Sequence, residues 1–314
     1  MPLDPRARRF LDRLAALNPP SAVSLSVLER RSALAHLLSF AGTPAAVAAV
    51  EDRMLPGPAG ALAVRLYAPE DVVAGGLLPG LVYFHGGGLV AGSLDTHDGI
   101  CRAMTQASGC RVVSVDYRLA PEHRFPAAVE DGCAVMEHVA RHAEQFGVDA
   151  RRLGICGDSA GATLAAVVCQ RLVAQRRTVP ALQFLLCPIT DFAARSASRQ
   201  ELAQGYLVDE STLEHDLRHY LGPDVLADDP GISPLRAADI SGLPPACIHT
   251  AEFDPLRDEG RAYAERLQHA GVPTRYTCHS GMIHLFYGMG GLFPYAMTAW
   301  SIMGAEIRAM LASG

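Results

Sequence analysis

The sequence lacks the features that would point to nucleic acid or to a membrane. Its 314 residues carry a net charge of −6 and contain no basic block of the kind that nucleic-acid phosphates require. No stretch approaches the ~18 to 20 apolar residues of a membrane span. Residues 1–17 lack the uninterrupted apolar core of a signal peptide. We therefore expect a cytoplasmic protein with no nucleic-acid partner and no membrane span.

The eight cysteines form no pattern either. They stand singly along the chain, several inside apolar strand-like runs, with no Cys-x-x-Cys pair and no Cys/His ligand spacing. This usage predicts reduced cysteines in a core rather than a disulfide framework or a metal site. Hydrophobic residues make up 49% of the chain and charged residues 19%, which predicts a sizeable buried core rather than disorder.

No internal repeat or low-complexity linker divides the chain, so its organisation is read from periodicity. The first fifty residues predict helices, one beginning after Asp4 and one after the capping box Ser26-x-x-Glu29. From residue 62 onward, buried strand patterns alternate with helix patterns. Such alternation is typical of an α/β fold with a mostly parallel sheet and helices on both faces.

One segment, residues 191–230, interrupts this alternation. It has no strand pattern and contains a helix that we expect to open at Ser211-x-x-Glu214. Together with residues 1–50 it predicts a helical cap over the sheet, although an ordinary surface excursion is the alternative. The core would then comprise residues 51–190 and 231–314.

The stretch GICGDSAGAT (residues 154–163) places Ser159 between Gly157 and Gly161. A G-x-S-x-G turn between a strand and a helix holds its serine on a strained bend with the hydroxyl exposed. The helix that follows directs N–H groups at the same point, which suits a developing negative charge. A tight turn with an accidental serine is the alternative, but the strand–turn–helix context favours a nucleophile.

A second glycine-rich stretch, FHGGGLVAGS (residues 84–93), directly follows an apolar strand pattern. Three consecutive glycines cost conformational entropy and need a reason. They would let backbone N–H groups approach a substrate oxygen and form an oxyanion hole with the N–H of Ala160. A flexible hairpin is the alternative. We expect His85 to brace this loop rather than to act as a base.

A serine hydroxyl needs a base to remove its proton, and imidazole is the suitable base near neutral pH. Among the twelve histidines, His284 lies on the loop after the last predicted strand. His249 and His279 fall within strand patterns, and His269 falls at a helix end. The sequence therefore favours His284 as the base.

The imidazole in turn needs a carboxylate that holds its tautomer. The stretch TAEFDPLRDEG offers Glu252, Asp254, Asp258 and Glu259. We favour Asp254 because it follows a predicted strand, although its other role would be a helix N-cap. The resulting chain order of serine, aspartate and histidine is the one expected of a serine hydrolase on an α/β sheet.

With these motifs in place, the chain closely resembles the hormone-sensitive-lipase-like branch of the α/β-hydrolases, the bacterial family IV esterases. The shared stretches cover nearly the whole length: HGGG at 85–88, GSLDTHD at 92–98, DYRLAPEHRFPAAVED at 116–131, GDSAG at 157–161, DPLRDEG at 254–260 and GMIH at 281–284. The resemblance implies an eight-stranded sheet with a helical cap. It also implies hydrolysis of carboxylic esters, usually with short acyl chains, and no cofactor.

The resemblance further implies Gly86 and Gly87 as oxyanion donors beside Ala160. We interpret Arg118, Glu122 and His123 as scaffold residues that tie a loop together. Two residues depart from the family pattern, since Leu89 follows the glycine run and Leu285 follows the histidine. Both could reshape the substrate pocket. An amidase is the alternative enzyme, and a non-catalytic small-molecule receptor is disfavoured because His284 is present. A homodimer through an edge strand is common in the family, and nothing in the sequence decides it.

Overall fold

Runs of Val, Ile, Leu and aromatic residues form eight strands that pair into one sheet in the computed structural model, which describes residues 1–70 and 76–312. The predicted core segments 51–190 and 231–314 each include a few residues outside this part. The strands are β1 (Ala49–Gly57), β2 (Gly60–Ala68), β3 (Leu78–Phe84), β4 (Arg111–Val115), β5 (Val148–Asp158), β6 (Gln183–Leu186), β7 (Ala246–Phe253) and β8 (Thr274–Ile283).

The order across the sheet is β1-β2-β4-β3-β5-β6-β7-β8. The pairs β1–β2 and β2–β4 are antiparallel, and all the other pairs are parallel. The carboxyl ends of β3 and of β5 through β8 therefore lie along one edge of the sheet. Loops that follow these strands are the ones that can meet in a common site.

Helices cover both faces of this sheet. In the described part of the chain they are α1 (Pro5–Ala16), α2 (Val27–Leu38), α3 (Asp98–Ser108), α4 (Ala127–Arg141), α5 (Ala160–Ala174), α6 (Ala197–Glu201), α7 (Glu210–Tyr220), α8 (Arg257–His269) and α9 (Tyr295–Leu311). Alternate residues of β3 belong to different cores, because successive side chains of a strand point to opposite faces. Val82 and Phe84 lie in the core with α4, α5 and α8, whereas Leu81 and Tyr83 lie in the core with α1, α3 and α9. The predicted α/β-hydrolase fold is confirmed.

One strand went unpredicted, and one helix begins earlier than expected. Strand β1 was not recognised from the sequence, since among its nine residues only Leu55 is buried and no alternation is visible. Helix α7 does not open at Ser211-x-x-Glu214. Asp209 caps it instead, two residues before Ser211. Its carboxylate accepts at 2.8 Å from the N–H of Thr212, one of the amides that the first turn leaves without a helical partner.

The two N-terminal helices begin as predicted. Asp4 accepts from the N–H of Arg6 at 2.8 Å, and Ser26 and Glu29 form the reciprocal capping box. Helices α1, α2, α6 and α7 lie in the two segments assigned to the cap, and the boundaries of those segments remain a prediction. No helix in residues 1–70 or 76–312 combines the length and apolarity needed to cross a bilayer.

Candidate functional site

Ser159 stands on a strained turn between β5 and α5. Its φ of 52° and ψ of −125° lie outside the regions that L-residues favour. The turn is tight enough to require its glycines: a Cβ at Gly157 would lie 2.4 Å from the carbonyl oxygen of Gly161, and one at Gly161 would lie 2.1 Å from that of Phe84. The N–H of Ser159 donates to the carbonyl of Leu186 at 2.7 Å, which ties the turn to β6.

His284 and Asp254 meet behind this turn. Asp254 follows β7, His284 follows β8, and Nδ1 of the imidazole lies 2.7 Å from Oδ2 of the carboxylate. Both side chains are buried. Burial acts to lower the pKa of His284, but the charge and hydrogen bond of Asp254, together with the charge of Asp158, outweigh it and raise this pKa above its ordinary value.

Ser159 and His284 line the same cavity, of about 580 Å³. Within the described residues, neither the Ser159 hydroxyl nor Nε2 of His284 has a hydrogen-bond partner in the protein. With Nδ1 held by Asp254, Nε2 is the ring nitrogen left to take a proton. The sequence-predicted serine, aspartate and histidine are thus brought to one rim of the sheet.

The other acidic candidates of the same stretch are engaged elsewhere. Their partners are the N-terminal ammonium for Glu252, Arg257 for Asp258 and Arg199 for Glu259. His249 and His279 are buried and contact each other, with 3.1 Å between Nδ1 of the first and Nε2 of the second. These contacts set the Asp254–His284 pair apart from the other acidic candidates and from His249 and His279.

The glycine loop, residues 85–91, follows β3 and passes beside Ser159. The N–H of Gly86 donates to Oδ1 of Asp158 at 2.8 Å, so it is already used inside the protein. Gly87 and Gly88 line the cavity. In the part of the chain that the structure describes, the N–H groups of Gly87, Gly88 and Ala160 have no acceptor. This contact contradicts the expectation for Gly86, whereas Gly87 and Gly88 keep N–H groups that no acceptor among the described residues uses.

Asp158 is a site residue that sequence reasoning missed. Its fully buried carboxylate accepts from the hydroxyl of Tyr83 at 2.5 Å and from that of Tyr287 at 3.3 Å, in addition to the N–H of Gly86. Burial acts to raise the pKa of Asp158, yet His97, whose Nε2 lies 3.7 Å away, and the hydroxyl of Tyr83 hold this pKa below its ordinary value. The sequence did contain a signal for Asp158, because a carboxylate at the end of a buried strand and next to the nucleophile needs a partner.

His85 braces the glycine loop, in line with the expectation. Its Nδ1 lies 2.8 Å from the carbonyl oxygen of Gly86, and its ring stacks on Tyr117 at 4.4 Å between centroids. The Tyr117 hydroxyl in turn donates to the carbonyl of His85 at 2.7 Å. Burial lowers the pKa of His85 to about 3, so the ring is neutral at physiological pH and has little basicity.

Two of the residues predicted as scaffold, Arg118 and Glu122, also form contacts within the protein. Arg118 pairs with Asp131 at 2.9 Å, and Glu122 pairs with Arg31 of α2 at 2.7 Å. Leu89 is buried in the glycine loop, whereas Leu285 lines the cavity beside His284. Of the two departures from the family pattern, only Leu285 therefore contacts the space where a substrate would bind.

Both cap segments contribute to the cavity. Its apolar cap lining comes from the N-terminal segment and from the later insertion, and includes Leu11, Leu14, Leu34, Leu207, Val208 and Leu213. The cavity thus lies between the edge of the sheet that carries Ser159 and His284 and the helices of the two predicted cap segments, and it is partly open to solvent. A largely apolar pocket with a few polar groups is typical of a small-molecule site.

One group of side chains could in principle hold a metal ion. Donor atoms of Cys187, Asp254 and His284 lie within 4.8 Å of one another. The hydrogen bond between Asp254 and His284 already uses two of these groups. Burial raises the pKa of the Cys187 thiol well above its ordinary value, which disfavours the thiolate that a metal requires. The residues therefore fit a metal poorly, and the expected absence of metal and cofactor stays a prediction.

This sheet order, with the serine turn after β5 and the histidine after β8, is the architecture of an α/β-hydrolase. Comparison with known proteins agrees: a family model described as the alpha/beta hydrolase fold matches residues 81–288. The chain belongs to this family, in its hormone-sensitive-lipase-like branch.

Its relatives include named ester hydrolases. Carboxylic ester hydrolase LipN of Mycobacterium tuberculosis is 44% identical over 252 residues, which cover 77% of this chain and 66% of that protein. Ethyl acetate hydrolase of Pseudomonas putida is 41% identical over 239 residues, 75% of this chain and 74% of that protein. The structure of an ester hydrolase from the metagenome of Lake Arreo, in complex with a bipyridine phosphonate derivative, matches with a TM-score of 0.95 at 41% identity and 99% of each chain.

Proposed function

We propose that this protein is a carboxylic ester hydrolase that works through Ser159, His284 and Asp254. The observation that carries the proposal is the 2.7 Å contact between His284 and Asp254, at the edge of a cavity that Ser159 also lines. A buried carboxylate on Nδ1 orients the imidazole and stabilises its protonated form during proton transfer. The named activities of the relatives support the same assignment.

The reaction begins with attack of Ser159 Oγ on the ester carbonyl carbon. Nε2 of His284 takes the hydroxyl proton as the new C–O bond forms, and Asp254 stabilises the imidazolium. The tetrahedral intermediate then expels the alkoxide, which receives the proton from His284 and leaves as the alcohol. An acyl-enzyme remains. Water repeats the sequence with His284 as base and releases the carboxylic acid.

The negative charge on the former carbonyl oxygen needs donors that are already in place. We assign this role to the N–H groups of Gly87, Gly88 and Ala160, because these lie beside Ser159 and have no acceptor within the described residues. Ala160 is the first residue of α5, so its N–H also lies at the positive end of a helix. Each such donor typically contributes about 10²- to 10³-fold in rate.

The substrates are small esters, with short acyl chains preferred. A cavity of about 580 Å³ has to hold both parts of the ester, which limits the length of each. The name of the Pseudomonas putida relative, ethyl acetate hydrolase, supports the same preference. The cytoplasmic location and a homodimer remain predictions.

The decisive test is Ser159→Ala assayed with p-nitrophenyl butyrate. We expect turnover to fall to background while the circular-dichroism spectrum and thermal unfolding stay unchanged, since the variant removes one hydroxyl from the cavity wall. Ser301→Ala, at an exposed position of α9, is the matched control and keeps full activity.

A fluorophosphonate probe should label the native protein and fail to label Ser159→Ala. Substantial residual turnover in Ser159→Ala would contradict the assignment of the nucleophile. Faster cleavage of a butyranilide than of the matched butyrate ester would instead make the protein an amidase.

A further inference from the structure

A buried ion pair joins the two cap segments inside the cavity. Arg30 on α2 donates from Nε to Oδ1 of Asp216 on α7 at 3.0 Å, and from Nη2 to Oδ2 at 2.7 Å. The two side chains are only 12% and 5% exposed. Both residues line the cavity that contains Ser159. We call them the cap ion pair. The cap wall on which they lie is lined mostly by apolar side chains and also carries Arg8, Asp12 and Asp209.

The cap ion pair lies next to the reaction centre. Asp216 packs directly on the glycine loop, because a Cβ at Gly88 would lie only 1.8 Å from Oδ2 of Asp216. Gly88 is one of the proposed oxyanion donors, so this wall adjoins the carbonyl under attack. The leaving alcohol has to lie at His284, which protonates it. The acyl group is therefore the part of the ester left to contact this wall.

Arg30 balances the charge of Asp216, but the cavity wall that the two residues form is still polar. His215 adds a contact from Nδ1 to Oδ1 of Asp216 at 3.1 Å. Among the residues that the structure describes, Nη1 of Arg30 has no hydrogen-bond acceptor, so part of the guanidinium is left without a protein partner. An alkyl chain that packs here would desolvate this charged group without offering it a hydrogen bond, which is unfavourable.

We propose that the cap ion pair determines acyl-chain specificity by forming a polar wall that penalises long alkyl chains. This inference rests on the ester hydrolysis proposed above. Each methylene that enters apolar surroundings should improve binding by about fourfold. Against the cap ion pair this gain is lost, so chains beyond the first few carbons bring no benefit.

The test replaces the pair by apolar residues of similar size, Arg30→Met with Asp216→Leu. Changing both residues avoids leaving one buried charge without its partner, and such isosteric replacements are often neutral for stability. We expect the ratio of kcat/KM for p-nitrophenyl octanoate to that for the butyrate to rise at least tenfold, mainly through a lower KM for octanoate. The matched control is Arg218→Met with Glu214→Leu, an exposed ion pair of the same helix at 3.2 Å. Its ratio should stay within twofold of the native value.

An unchanged ratio in a double variant that still hydrolyses butyrate would overturn the inference while leaving the proposed function intact. Failure of the proposed function would appear instead as turnover that survives Ser159→Ala. If the apolar variant does not fold, Arg30→Gln with Asp216→Asn keeps a polar side chain at both positions and removes both charges. Because neutral amides are less costly to desolvate than ions, its ratio should rise at least threefold. A shift that appears with alkyl acetates of increasing alcohol length, and not with the acyl series, would refute the acyl assignment.

Discussion

Replacing Asp158 by alanine removes the acceptor that holds the glycine loop beside the nucleophile. The N–H of Gly86 and the hydroxyl of Tyr83 would both lose their partner in a fully buried position. Each unsatisfied buried group costs about 1–3 kcal/mol, so the free energy of unfolding should fall by about 2–6 kcal/mol. Gly87 and Gly88 follow Gly86 directly, and a displaced loop would misplace their N–H groups. We expect kcat to fall about 10²- to 10³-fold, the loss typical of one oxyanion donor, with little change in KM.

The Asp158→Asn variant separates the charge of this residue from its hydrogen bonds. The amide oxygen can still accept from the N–H of Gly86, so kcat should fall less than in the alanine variant. The negative charge is lost, however, and this charge helps to raise the pKa of His284. His284 acts as a base in its neutral form, so a lower pKa shifts the acid limb of the kcat/KM profile to lower pH. A residue that merely filled space would leave this limb unmoved.

The assay is p-nitrophenyl butyrate hydrolysis from pH 5 to 9, with circular dichroism to verify that each variant is folded at the assay temperature. Asp239→Asn, which changes an exposed carboxylate, is the matched control and should show the native profile. A folded Asp158→Ala protein with kcat within threefold of the native value would refute the role of Asp158 in holding the loop.

Two further outcomes follow from the site. Gly88→Ala should reduce kcat/KM more than 100-fold, since its Cβ would lie 1.8 Å from Asp216 at a φ of +69°. Gly109→Ala has a similar φ of +68° with nothing within 4 Å and should retain activity, and equal loss in both would mean that backbone strain alone matters. Across p-nitrophenyl esters of two to sixteen carbons, kcat/KM should peak at six carbons or fewer because the cavity has a finite depth. A peak at twelve or beyond would make the enzyme a lipase.

Local sequence patterns were enough to predict those site residues whose position depends on a single turn or a single strand end. The G-x-S-x-G turn at Ser159 can be recognised from the sequence because only glycine fits at Gly157 and Gly161. Asp254 and His284 could be selected because parallel strands bring their carboxyl ends to one edge, which makes position in the chain a guide to position in space. Strand β1 could not be predicted because only one of its residues is buried, so it shows no alternation of buried and exposed residues.

The sequence by itself determined the fold class and the three residues proposed for catalysis, because periodicity and chain order carry that information. Only the tertiary structure decided how the glycine loop is used, since the partner of Gly86 is Asp158, 72 residues away. Only the tertiary structure also showed that the pocket wall carries an ion pair. Arg30 and Asp216 are 186 residues apart, and the sequence around neither residue indicates that they pair. Hydrogen bonds and ion pairs between distant segments depend on how helices dock on the sheet, and no local pattern encodes that docking.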